Sequence, residues 1–141
     1  MTTTAVSGVN AGIASKGAVI ALVGRVLLSI LFILAGYSKL TGIAGTAGWF
    51  GSIGIPLPTV VAVLAGLLEL VAGLAILVGF QTRIAALALA VFTVAATLIA
   101  HLDFSDQIQV LLFQKNLSIT GGLLVLAAFG AGALSVDARR G

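Results

Sequence analysis

The chain contains no cysteine. That removes thiol nucleophiles, disulfides and Cys-ligated metal or iron–sulfur centres together. It has one histidine in 141 residues, too few for a polyhistidine metal or haem site within one chain, so no metal ligands are assigned. Charge is also scarce. Only 8% of the residues are Asp, Glu, Lys or Arg, against about a quarter in a soluble domain. The net charge of +3 is scattered and forms no basic stripe of the kind that tracks nucleic acid, which is therefore not expected as a partner. What fills the sequence is apolar, with 60% hydrophobic residues. The length suits one compact domain and leaves no room for a membrane domain plus a second folded module.

Residues 1–16 are small, polar and rich in Gly, Ala and Thr. They read as a flexible N-terminal tail. The apolar run from Gly17 to about Gly36 is too long for a signal-peptide core, and three more runs follow it, so it reads as an uncleaved membrane span. The second span runs from about Thr59 to Phe80, just after Pro56 and Pro58, which suits a helix start. The third covers about Ile84 to Ala100. The fourth begins between Gln109 and Leu117 and ends near Leu134. Backbone groups in lipid must be satisfied internally, so these segments are helices. The expected fold is all-α: an integral membrane four-helix bundle over residues 17–136, built of two antiparallel hairpins, with a short tail at 137–141. The loop Thr41–Pro58 holds Trp49 and Phe50 and suits a short interfacial helix. Lys16, Arg83, Arg139 and Arg140 fall at one end of the spans, Lys39 and Lys115 at the other. The positive-inside rule then puts both termini in the cytoplasm.

Two ionisable residues interrupt the spans, and a charge inside a bilayer needs a partner, a wet cavity or a task. Arg25 lies roughly 10 Å inside the first span by helix rise. It shares a helical face with Ser29, Phe32, Gly36 and Lys39. It either reaches headgroups or caps a neighbouring helix, or it binds a ligand group or Glu69. Glu69 is near the middle of the second span, with Gly66 and Gly73 on the same face. Small residues there let another helix approach, so Glu69 is expected to point into the bundle. It is either a structural partner of Arg25 or an outer lysine, or a neutral acid bonded to a neighbour, or a carboxyl that handles protons or anchors a ligand.

Thr93, Thr97 and His101 form a narrow stripe on the third span. The two hydroxyls are expected to bond back to carbonyls of their own helix. His101 falls at the same end as Lys39 and Lys115, where an imidazole could bind a ligand or exchange a proton. Lys115 and Asn116 interrupt an apolar stretch. If the helix starts near Gln109, Lys115 is inside it and needs an acceptor, with Glu69 and Asp103 as candidates. If it starts at Leu117, Lys115 is a headgroup anchor.

The ordered set Arg25, Gly36–Tyr37–Ser38–Lys39–Leu40, Gly54–Ile55–Pro56, Glu69 with Gly73 and Gly79, Thr82–Arg83, His101, Lys115–Asn116, Gly121–Gly122 and Gly132 through Asp137 resembles the DoxX family of small four-helix bacterial membrane proteins. The likeness spans roughly Ala21 to Asp137. It implies a multi-pass protein of the bacterial inner membrane. Relatives include subunits associated with thiosulfate:quinone oxidoreduction, and others linked to quinone-like or oxidative stress. The family is not functionally uniform, so no single activity carries over.

The leading expectation is a membrane subunit of a quinone-linked oxidoreductase or oxidative-stress system. It would bind a quinone-like lipophile at a buried polar cluster. Glu69 and His101 are the candidate catalytic residues, moving protons. Arg25, Lys39, Lys115 and Asn116 are the candidate ligand-binding residues. No intrinsic cofactor is expected; a bound quinone, and electrons from a partner redox protein, would complete the chemistry. Whether this chain itself catalyses is left open. The alternative is a non-catalytic anchor or scaffold for a partner protein. A small transporter ranks last, since four spans would need a homo-oligomer for alternating access. Membrane lipid is an expected partner in every reading.

Overall fold

The computed structural model describes residues 2–141, with the side chains of residues 15–141; Met1 and the side chains of residues 2–14 lie outside the described residues. The chain forms α1 (Thr2–Thr41), α2 (Ile43–Ser52), α3 (Pro58–Val78), α4 (Thr82–Ala100), α5 (Gln107–Phe129) and α6 (Val136–Arg140). Four of these carry spans long and apolar enough to cross a membrane: Ser15–Thr41, Pro58–Val78, Thr82–Ala100 and Gln107–Phe129. No strand occurs among the described residues. N-terminal to its span, the backbone of α1 continues helically to Thr2, with no proline to interrupt it before Pro56. The expected tail of residues 1–16 therefore falls almost wholly where side chains are not described.

The spans pair as two antiparallel hairpins. α1 packs along α3, α4 along α5, and the hairpins meet mainly where α3 touches α4. The core is built from small residues with a few large ones: Ala72, Ala85, Ala86 and Ala90 around Phe32, Ile76, Leu89 and Leu123. Large aliphatic residues such as Leu27, Leu64 and Val91 face outward. This inverted distribution is what lipid favours, because helices there associate by close packing rather than by hiding apolar surface. The α1/α3 seam depends on glycine. A Cβ at Gly36 would stand 2.5 Å from the Leu70 amide nitrogen and 2.7 Å from the Gly66 carbonyl oxygen. Gly73 likewise abuts the backbone of Ile33.

Short segments close each end. Between α1 and α3 lies α2, the expected short helix, with Trp49 half exposed and Phe50 buried; it packs against α3. α3 ends at Gly79, whose φ of +74° is open to glycine at little cost. α6 folds back onto this turn, and the Asp137 amide donates to the Gly79 carbonyl at 2.8 Å.

Candidate functional site

The two membrane charges sit in different environments. At the end where α3 meets α4, Arg25 is 2% exposed and meets carbonyls. Its Nη1 donates to Ala131 at 2.7 Å, and its Nη2 to Leu134 at 3.0 Å and Leu77 at 3.3 Å. Leu77 belongs to the last turn of α3, whose carbonyls lack helical partners. Arg25 thus caps α3 and ties down the loop from α5 to α6. It neither reaches Glu69 nor lines the cavity described below, in contrast to the expected ligand role. Arg83 does similar work, donating to the Ala128 carbonyl at 2.7 Å near the end of α5.

Asp137 completes this end. Its carboxylate accepts from the Gln81 and Thr82 backbone amides at 2.7 and 2.9 Å, at the start of α4. Burial pushes the Asp137 carboxyl up. The Thr82 and Gln81 donors and nearby Arg140 more than offset it, so the group is held below its ordinary value.

Glu69, 5% exposed, points into the bundle as its flanking glycines implied, and it meets Lys39 at 2.8 Å. Helix direction explains why a residue near the end of α1 reaches the middle of α3. Side chains tilt toward the N-terminus of their own helix. The two helices run antiparallel, so Lys39 leans inward and Glu69 leans outward until they meet. Gly66 makes room, since a Cβ there would stand 3.2 Å from the Lys39 Cβ. Of the partners considered for Glu69, the outer lysine is the one it has.

The pair forms part of the wall of a cavity of about 430 Å³. α1 contributes Leu31, Phe32 and Lys39; α2 contributes Trp49 and Phe50; α3 contributes Ala65 and Glu69. α4 adds Phe92, Thr93, Ala96 and His101, and α5 adds Lys115, Asn116 and Ile119. The volume falls within the range of small-molecule sites, about 300–1,000 Å³. Five of the six sequence-selected residues, all but Arg25, therefore line one space.

Their bonding differs. The Thr93 and Thr97 hydroxyls each donate to the carbonyl four residues back, at 2.7 Å, as expected for threonines in a membrane helix. Thr97 also accepts from Asn116 Nδ2 at 2.9 Å, which ties α5 to α4. His101 caps the end of α4 and places Nδ1 2.7 Å from Gln109 Oε1. With that oxygen as acceptor, Nδ1 carries the proton and Nε2 is the basic nitrogen. Lys115 lies inside α5, which starts at Gln107, so the early-start alternative holds. Asp103 does not serve it; its carboxylate accepts from the Ser105 hydroxyl and amide. Those bonds hold the Asp103 carboxyl below its ordinary value, and exposure leaves little desolvation to oppose them.

The aromatic lining was harder to foresee. Trp49 and Phe50 could be read as interfacial, but their contact with the cavity depends on how α2 folds back. Phe92 had no polar signal of its own. The alanines at positions 95, 96 and 100 were the available hint, because small residues on one helix side leave space.

The comparisons agree with this architecture. The inner membrane protein YqjF of Escherichia coli (strain K12) is 47% identical over 119 residues, covering 82% of this chain and 88% of that protein. The inner membrane protein YphA of the same organism is 34% identical over 126 residues, covering 86% and 90%. A Bacillus subtilis (strain 168) protein named "Putative oxidoreductase CatD" is 36% identical over 78 residues, covering 55% and 57%. No solved structure matches the chain. The DoxX family model matches residues 20–102, a stretch that holds Arg25, Lys39, Glu69 and His101. With four membrane helices and two inner membrane relatives matched over most of its length, this multi-pass inner membrane protein belongs to the DoxX family.

Proposed function

We propose that the cavity binds a quinone-like lipophile, and that the chain serves as a membrane subunit of a quinone-linked redox system. The observation that carries this reading is the Lys39–Glu69 ion pair in the wall of an otherwise mainly apolar, aromatic-lined cavity. Such a site suits a flat ring with polar oxygens: apolar walls bury the ring and a few fixed polar groups orient it. The likeness to a protein named as an oxidoreductase, over 55% of this chain, supports a redox setting.

Each polar residue has a fitting task. Lys39 can donate to a ring carbonyl while Glu69 fixes the position of its ammonium. His101 can exchange a proton through Nε2 at the end of α4, and Glu69 can pass one from within the bundle. Asn116 holds α5 to α4 through Thr97 at the cavity wall. A bound quinone would supply two-electron, two-proton acceptor chemistry that the side chains lack. The electrons would come from a partner redox protein. In the scaffold alternative, the same charges would only set helix register.

The test is native mass spectrometry of the chain extracted gently from its own membrane. The expected result is a bound quinone in the wild type that is lost in Glu69→Gln at unchanged expression. A chain that carries only phospholipid in both forms would overturn the reading and favour the scaffold.

A further inference from the structure

Every acid in the chain is engaged, while one cation on the cavity wall has no carboxylate. The sequence has four Asp and Glu residues in all. Glu69 pairs with Lys39. Asp103 is occupied by Ser105. Asp106 caps α5 by accepting from the Ile108 amide. Asp137 sits on the start of α4, at the opposite end. Lys115 faces the cavity beside Asn116 and Ile119, and among the described residues it forms no ion pair. It lies eight residues past the start of α5, roughly 12 Å along the axis. Lys115 is exposed, so its ammonium is open to an anion from whatever fills the cavity or adjoins it. With Lys39 and Glu69 cancelling, the wall keeps one uncompensated positive charge.

Resting on the reading of this cavity as a quinone-type site, we propose that its ligand is an acidic lipophile. The head group carries an ionised oxygen, as in a hydroxyquinone or phenol, and Lys115 is its counter-cation. Lys39 is already neutralised by Glu69 and serves a neutral oxygen. The cavity thereby selects the charged form of a ring that an apolar pocket alone would reject. A lipid phosphate from the adjoining leaflet offers the same charge to Lys115, so the experiment separates the two sources.

The chain has a single tryptophan, Trp49, and it lines the cavity. Quinones quench indole fluorescence, so Trp49 reports binding directly. The full chain in neutral detergent is titrated with a 2-hydroxy-3-alkyl-1,4-naphthoquinone, ionised at neutral pH, and with its methyl ether, which cannot ionise. The hydroxy compound is expected to bind about tenfold more tightly, the size of one partly screened charge contact. Lys115→Gln should abolish that preference, while Lys115→Arg retains it. Equal saturable binding of both compounds to the wild type would overturn the proposal and leave the quinone site standing. No saturable quenching by either would overturn both. A preference that survives in Lys115→Gln would overturn the assignment to Lys115. A preference that vanishes in phosphatidylglycerol nanodiscs but not in neutral ones would assign Lys115 to lipid phosphate and overturn the proposal.

Discussion

Arg25 and Glu69 are both charged residues buried within membrane spans, yet the protein treats them differently. Arg25 is surrounded by backbone carbonyls from α3 and the loop beyond α5, and its fork of donors spreads over three acceptors. Glu69 has a single cationic partner and an apolar cavity beside it. The first arrangement commits both Nη groups to holding one end of the bundle together. The second leaves a polar pair facing the cavity. A charge in a membrane span can thus be spent wholly on holding helices together, and its partners tell which charges are.

The sharpest way to test that contrast is to remove each charge. Arg25→Ala leaves three carbonyls short of a charged donor, each such bond being worth about 1.5–3 kcal/mol. The expected loss is on the order of 4 kcal/mol, seen as a large drop in melting temperature and folded yield in detergent. The folded fraction should still bind ligand normally, since Arg25 is not in the cavity. Selective loss of binding at unchanged stability would return Arg25 to the site. Removing either member of the ion pair is milder and unequal. Lys39→Met strands a carboxylate that is 7% exposed and should cost about 3 kcal/mol. Glu69→Gln leaves a lysine that is 22% exposed and can turn toward the headgroups, so about 1 kcal/mol is expected. Equal losses would mean the pair is not held as described. Gly36→Val approaches the pair without touching a charge. Its Cβ would collide with the α3 backbone, so a cost of about 2 kcal/mol and weakened ligand binding are expected together.

How legible each region was in the sequence follows from the range of its interactions. The existence of all four spans was legible because hydropathy and length are local properties, but the first runs on to Thr41 rather than about Gly36, and the fourth stops at Phe129 rather than near Leu134, where Gly130 and Gly132 turn the chain. The expected runs at 59–80 and 84–100 match α3 and α4 to within about two residues. The direction of Glu69 was legible too, because Gly66 and Gly73 share its face. Arg25 was not. Its acceptors are the carbonyls of residues 77, 131 and 134, and every residue has a carbonyl, so nothing in the side chains marks them. Asp137 shows the same limit. It looked like part of a short polar tail, and only the return of α6 onto the α3–α4 turn reveals its partners. The cavity was half legible: its polar residues stood out one by one, but their meeting depends on how two hairpins and α2 pack.

Asp137 offers the finest probe of the clamp end, because it lies outside the spans and its effect can be read through pH. Its folded carboxyl is held below the ordinary value, largely against the pull of burial, by the amides of Thr82 and Gln81 and by Arg140. A group depressed on folding binds its proton more readily in the unfolded chain. Stability therefore rises with pH through its range and levels off above it. The contribution should be fully present above the unfolded value near 3.8 and be lost as pH falls through the lower, folded one. Asp103 is also depressed and titrates in the same window, so the informative quantity is the difference between wild type and Asp137→Asn. That difference in melting temperature should be small, steady above pH 5 and shrinking toward zero on acidification. A difference that stayed constant down to the acid limit would mean that the carboxylate's charge does not hold the start of α4, and that α6 is kept in place by the Asp137 amide on Gly79 and the Ser135 cap alone.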